Sequence, residues 1–193
     1  MKVLAIVLAA GASHRFGSPK LLALLDGRPV LEHVLDAAAE AGLMDVVVVL
    51  GEQAAAIRAA VTWRTERILV NPRPMDGLSS SLRIGLDAAA EDRTVDAVLV
   101  LLGDQPAVRP EVMASVLAAG ETSAGPIVRV RYADDGAPNP VLIRRAAWAL
   151  AAGLAGDRGL GPLLAERADL VTEVAATGAN PDIDTPEDLA RVH

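Results

Sequence analysis

A chain of 193 residues has room for one well-buried core and too little for two comfortable domains. Its formal charge of -7 lacks the dense basic footprint of a general nucleic-acid surface, and with no cysteine it excludes disulfides, thiolate chemistry and cysteine-ligated zinc or iron–sulfur centres. Because 52% of residues are hydrophobic but only 2% aromatic, the core has to be built from Ala, Val and Leu, which favours helices packed tightly on a sheet.

The first apolar run, Val3 to Ala10, predicts a buried strand over Val3–Leu8. It is too short for a signal-peptide core with its cleavage region or for a membrane span, so a cytoplasmic protein with no membrane partner is expected. The run passes into "LAAGASHRFGSPK", Leu8 to Lys20, where small residues let backbone N–H groups approach a guest closely, phosphate being the commonest. The spacing of Gly11, Gly17 and Lys20, with no Ser or Thr after the lysine, departs from the Walker loop. No second glycine follows Gly11 at the interval the dinucleotide fingerprint requires. A triphosphate loop remains, with Ala10, Gly11 and Ser13 offering backbone donors and Arg15 and Lys20 supplying charge.

Next, "PVLEHVLDAAAEAG" places Val30, Leu31, Val34, Leu35 and Ala38 on one helical face and stops at Gly42. A strand is expected over Val46–Leu50, a helix over Gln53–Val61 and a strand over Arg67–Val70. In "NPRPMDGLSSSL", Asn71 and Gly77 fall in a loop, and Ser79, Ser80 and Ser81 open a helix running to Ala90, where hydroxyls and unpaired N–H groups would face outward. The strand Ala97–Leu102 ends in "LLGDQP", putting Asp104 where carboxylates of open α/β sheets meet ligands, although Asp before Pro106 is also a common turn.

A helix over Pro110–Ala119, strands over Pro126–Arg131 and Pro140–Ile143, and helices over Arg144–Ala152 and Gly161–Glu166 follow. Between the late strands, residues Arg131 to Asn139 are rich in Gly, Pro and Asp and predict a loop beside the site. In the closing "DIDTPEDL", Asp182 and Asp184 alternate with Ile183, so an extended segment would turn both carboxylates to one side. Either could join Asp104 around a hard cation, and Asp184 or Thr185 could cap the final helix. His14, His33 and His193 assemble no triad with a serine, which fits direct transfer without a covalent intermediate. The alternation of strands and helices predicts an α/β fold: one Rossmann-like, three-layer sandwich with a mostly parallel sheet, residues 1–193 forming a single domain.

"LAAGASHRFGSPK" also resembles the signature L-A-A-G-x-S-x-R-x-G-x-x-K of the MobA-like nucleotidyltransferases, within them the MocA-type molybdenum cofactor cytidylyltransferases. Leu8, Ala9, Ala10, Gly11, Ser13, Arg15, Gly17 and Lys20 meet every fixed position, while the Asn71–Leu82 segment, "LLGDQP" and "DIDTPEDL" extend the likeness. The resemblance implies a nucleotide-diphospho-sugar transferase-like fold and transfer of CMP from CTP to molybdopterin, with a client molybdoenzyme as possible partner. It implies nucleotide binding by Leu8, Ala9, Ala10, Gly11, Ser13, Arg15, Lys20, Asn71, Gly77, Ser79, Ser80 and Ser81, and Mg²⁺ on Asp104 with Asp182 or Asp184. Arg15, Lys20 and Asp104 would carry the chemistry. On the acceptor side, Asn139 replaces the histidine of a G-H-P motif, and "GDRGLG" keeps Gly156, Asp157 and Gly159 but lacks the family's arginine. Other readings are a GTP-using or sugar-phosphate nucleotidyltransferase of the same fold, or a non-catalytic cofactor-binding module. Ala10, where guanylyl-transferring relatives usually have glycine, points to CTP.

Overall fold

A computed structural model describes residues 1–11, 16–134, 137–156 and 159–192. In chain order it runs β1 (Val3–Ala9), a short hairpin β2 (Leu24–Leu25) and β3 (Arg28–Pro29), α1 (Val30–Glu40), β4 (Val46–Leu50), α2 (Ala54–Ala60), β5 (Arg67–Val70), α3 (Leu78–Ala90) and β6 (Ala97–Leu102). There follow α4 (Pro110–Thr122), β7 (Ile127–Tyr132), β8 (Val141–Arg144), α5 (Trp148–Ala152), α6 (Gly161–Glu166), β9 (Val171–Ala176) and α7 (Pro186–Leu189).

The main sheet has seven strands in the order β5-β4-β1-β6-β8-β7-β9. Pairs β1–β4, β1–β6, β4–β5 and β7–β9 are parallel, while β8 runs antiparallel to both β6 and β7. The expected mostly parallel α/β sandwich is the observed architecture. Two elements were not expected from the sequence: the small hairpin, and β9, which adds a parallel edge strand against β7.

Side-chain alternation along β1 builds both faces of the core. Ala5, Val7 and Ala9 meet Leu31, Val34 and Leu35 of α1 with Val112, Met113 and Val116 of α4. Leu4, Ile6 and Leu8 face the other layer, with Leu82 and Leu86 of α3, Trp148 and Ala151 of α5, and Leu163 and Leu164 of α6. That β1 buries both faces explains why it reads as a continuous apolar run. With so few aromatic side chains, close approach replaces bulk: a Cβ added to Gly85 of α3 would lie 2.5 Å from Ile6 Cγ2.

Candidate active site

The chain leaves β1 through α1 to β4 and then β5 on one side, and returns through α3 to β6 on the other. The carboxyl ends of β1 and β6 therefore form a topological switch point, the place where open α/β sheets leave a crevice for ligands. Ala10 and Gly11 follow β1 there, and Gly103, Asp104 and Gln105 follow β6. The Gly103 N–H donates to Leu8 O at 2.9 Å, closing the base of the crevice.

Lys20 reaches this crevice from a single helical turn, Lys20–Leu22, that follows the opening loop. The side chain of Lys20 is only 10% exposed, and its ammonium lies 2.6 Å from Asp104 Oδ2 and 2.8 Å from Asp184 Oδ1. Burial by itself would lower the Lys20 pKa, but the Asp104 and Asp184 carboxylates outweigh it and hold the ammonium above its usual value. The segment bearing Asp182 and Asp184 is pinned from behind: Ile183 is fully buried against Leu25 and Val30, and its N–H donates to Asp104 O at 2.9 Å. Burial, reinforced by the neighbouring Asp104 charge, raises the Asp182 carboxyl above the ordinary aspartate value, against a hydrogen bond from Gln105. Thr185 takes the cap of α7 in a reciprocal box with Asp188, so Asp184 is not the capping side chain.

On the β5 side, Asn71 is buried and its Nδ2 donates to Ser80 Oγ at 2.7 Å and Ser81 Oγ at 2.9 Å. The outward-facing serines expected from the sequence are corrected here. Ser79 and Ser81 are buried, and the hydroxyls of Ser80 and Ser81 accept from Asn71, because α3 begins at Leu78 and turns these positions toward the β5 loop. Gly77 precedes α3 at φ 91, a conformation that favours glycine. Gly51, not singled out in the sequence, sits at the end of β4, where an added Cβ would come within 2.6 Å of Ala10 O.

Asn139 lines an apolar cavity of about 180 Å³ with Leu8, Leu78, Leu102 and Leu160, among others. Its carbonyl accepts from Tyr132 Oη at 3.1 Å. The structure thus brings Lys20, Asp104, Asp182 and Asp184 together, gathers Asn71 with Ser80 and Ser81, and sets Asn139 beside the end of β1. Ser13, Arg15, Asp157, His14 and His193 lie outside the described residues. Gln105 and Asn180, buried next to the carboxylates, carried no sequence signal, since their partners lie 75 positions apart.

Residues 5–171 match the model of the MobA-like NTP transferase domain. The chain belongs to the MobA-like NTP transferase family. A bifunctional protein GlmU from Bordetella petrii is 36% identical over 116 residues, covering 59% of this chain and 25% of that protein, so the chain spans about a quarter of such relatives. Nicotine blue oxidoreductase from Paenarthrobacter nicotinovorans is 32% identical over 201 residues, covering 98% of this chain and 96% of its own. Among solved structures, Rv0371c from Mycobacterium tuberculosis H37Rv superposes with a TM-score of 0.87 at 32% identity, covering 100% of this chain and 97% of that one. The same protein has been solved in complex with manganese.

A divalent cation is the group that the MobA-like family implies. Among the described residues no three acidic or imidazole side chains are grouped so as to hold a metal by themselves. Magnesium does not need such a cage, since it usually takes one or two carboxylates and completes its shell with waters and phosphate oxygens. Asp104 and Asp182 fit that requirement: both are hard oxygen donors, carried on neighbouring segments that the Ile183 N–H to Asp104 O hydrogen bond joins.

Proposed function

We propose that this MobA-like protein transfers CMP from CTP to a phosphate-bearing acceptor, molybdenum-bound molybdopterin being the acceptor its motifs favour, and releases pyrophosphate. The observation that carries this reading is the meeting of Lys20, Asp104, Asp182 and Asp184 at the switch point. A phosphate oxygen of the acceptor attacks the α-phosphorus, and the bond from that phosphorus to the bridging oxygen of the pyrophosphate breaks. The attacking oxygen already carries charge, so the demands on the protein are alignment and neutralisation rather than proton removal.

The Ala10–Gly11 backbone and Arg15 would cradle the triphosphate, and Lys20 would offset charge on the departing pyrophosphate. Asp104 and Asp182 would hold Mg²⁺, which when bound neutralises phosphate oxygens and fixes their orientation. Asn71 secures the start of α3 beside the nucleotide, and the cavity at Asn139 would receive the acceptor. The Ala10 methyl would narrow the pocket in favour of a single-ring base. Pyrophosphate release measured with each of the four triphosphates, Mg²⁺ and molybdenum-loaded molybdopterin tests the proposal. Faster release with GTP overturns the cytidylyl assignment, and none with any triphosphate overturns transfer to this acceptor.

The end-to-end match to a protein named an oxidoreductase favours one second reading, in which the crevice holds a nucleotide-containing redox cofactor. Oxidation of NADH or NADPH in the presence of a dye acceptor, without added triphosphate, would support that reading over nucleotidyl transfer.

A further inference from the structure

Two buried amides stand beside the carboxylates with no part in the chemistry above. Gln105 is 1% exposed and Asn180 0%. Asn180 Nδ2 donates to Gln105 Oε1 at 3.0 Å, while Gln105 Nε2 donates back to Asn180 O at 3.3 Å and to Asp182 Oδ1 at 2.7 Å. Asn180 Nδ2 also reaches Asn139 O at 3.5 Å, the carbonyl that accepts from Tyr132 Oη. Asn180 Oδ1 is buried and has no hydrogen-bond partner among the described residues.

A purely structural clasp at this depth would be better served by apolar side chains, because burying amides costs desolvation that their mutual hydrogen bonds recover only in part. Besides holding each other and two backbone carbonyls, the pair reaches a carboxylate outside itself, from Gln105 Nε2 to Asp182 Oδ1. We infer that Gln105, oriented by Asn180, is a positioning residue for Asp182 and through it for the divalent cation. The Nε2 donor engages one carboxylate oxygen and so fixes rotation about the Cβ–Cγ bond, which sets the direction of the other. It also places a donor against a carboxylate that faces Asp104. Because Gln105 adjoins Asp104 in the chain and grips the Asn180–Asp182 segment, one residue sets the relation between the two metal-side carboxylates. The inference rests on the metal-dependent function proposed above.

The test is a titration of full-length protein with Mn²⁺ alone, free ion being read from its electron paramagnetic resonance signal. Loss of a group that orients a metal ligand typically weakens binding about 10- to 100-fold, so Gln105→Leu should raise the Mn²⁺ dissociation constant by about tenfold or more. The unfolding midpoint without metal should fall by several degrees, since Asn180 loses its partner, so affinity is read well below that midpoint on folded protein. At saturating metal the KM for triphosphate should be unchanged. Asn180→Ala keeps the Gln105 donor but loses the bond that orients it, and should weaken Mn²⁺ by about threefold or more; it serves as the test if Gln105→Leu does not fold. Equal Mn²⁺ affinity in wild type and a folded variant overturns the inference and leaves the proposed function standing. No Mn²⁺ binding by wild type overturns the metal assignment and the inference with it.

Discussion

Lys20 and Asp104 touch each other, yet their removal should be felt differently. Lys20→Met strips the cation from between Asp104 and Asp184, so the acidic cluster repels itself. Both turnover and folding should suffer, with about a hundredfold loss of rate and up to about 3 kcal/mol of stability, at the low end of fully buried pairs because Asp184 is half-exposed. Asp104→Asn relieves the crowding around Asp182 but leaves buried Lys20 with one of these two carboxylates, Asp184, so the melting temperature without ligand should fall less than in Lys20→Met while turnover falls by about a hundredfold or more. Parallel measurement of rate and melting for the two variants separates these outcomes; near-normal turnover in Asp104→Asn would remove the metal assignment. Gly51→Ala reads the opening loop from behind. Its methyl would press on Ala10 O from 2.6 Å, and moving that peptide by even a few tenths of an ångström should raise the KM for triphosphate severalfold with little change in kcat once saturated.

At the scale of elements, α3 and α1 each depend on one position. Gly85→Ala drives a methyl into Ile6 at the centre of β1, and overpacking of this kind costs about 1–3 kcal/mol, to be read from denaturant midpoints. In α1, buried Glu32 accepts the Thr62 N–H at 2.7 Å and pairs with Arg28, tying the helix to the segment after α2. The Thr62 hydrogen bond leads in holding its carboxyl below the usual glutamate value, despite opposing burial. A lowered folded-state pKa gives stability that is present above the unfolded value and lost as pH falls through the folded one. Denaturant midpoints should therefore start to fall as pH drops below about 5, and Glu32→Gln should flatten that fall.

The strands β4 and β6 lie where the apolar runs placed them, because central strands buried on both faces leave an unmistakable mark in sequence. The strand β9 was missed for the converse reason: at the sheet edge its side chains are half-exposed, and Thr172 and Glu173 break the run. The hairpin pairs only two residues on each side, too few for any period. Lys20, Asp104, Asp182 and Asp184 were legible as motif positions, whereas Gln105 and Asn180 act through a contact that only folding creates.

The molecule as a whole should report its ligand through stability. With Mg²⁺ and CTP at about a hundred times the dissociation constant, the native state gains about 2.7 kcal/mol, or roughly 5–11 °C for a chain of this size, and GTP at equal concentration should give less. Equal shifts with the two would overturn the base preference. All seven strands are complete by Ala176, while Asp182 and Asp184 arrive afterwards on a segment fastened by Ile183 and the Asn180 amide. The pairing of the sheet therefore does not depend on that segment, and a protease that cuts after Pro181 should leave the seven strands paired while removing two of the three crevice carboxylates among the described residues, Asp182 and Asp184, so that Lys20 keeps Asp104.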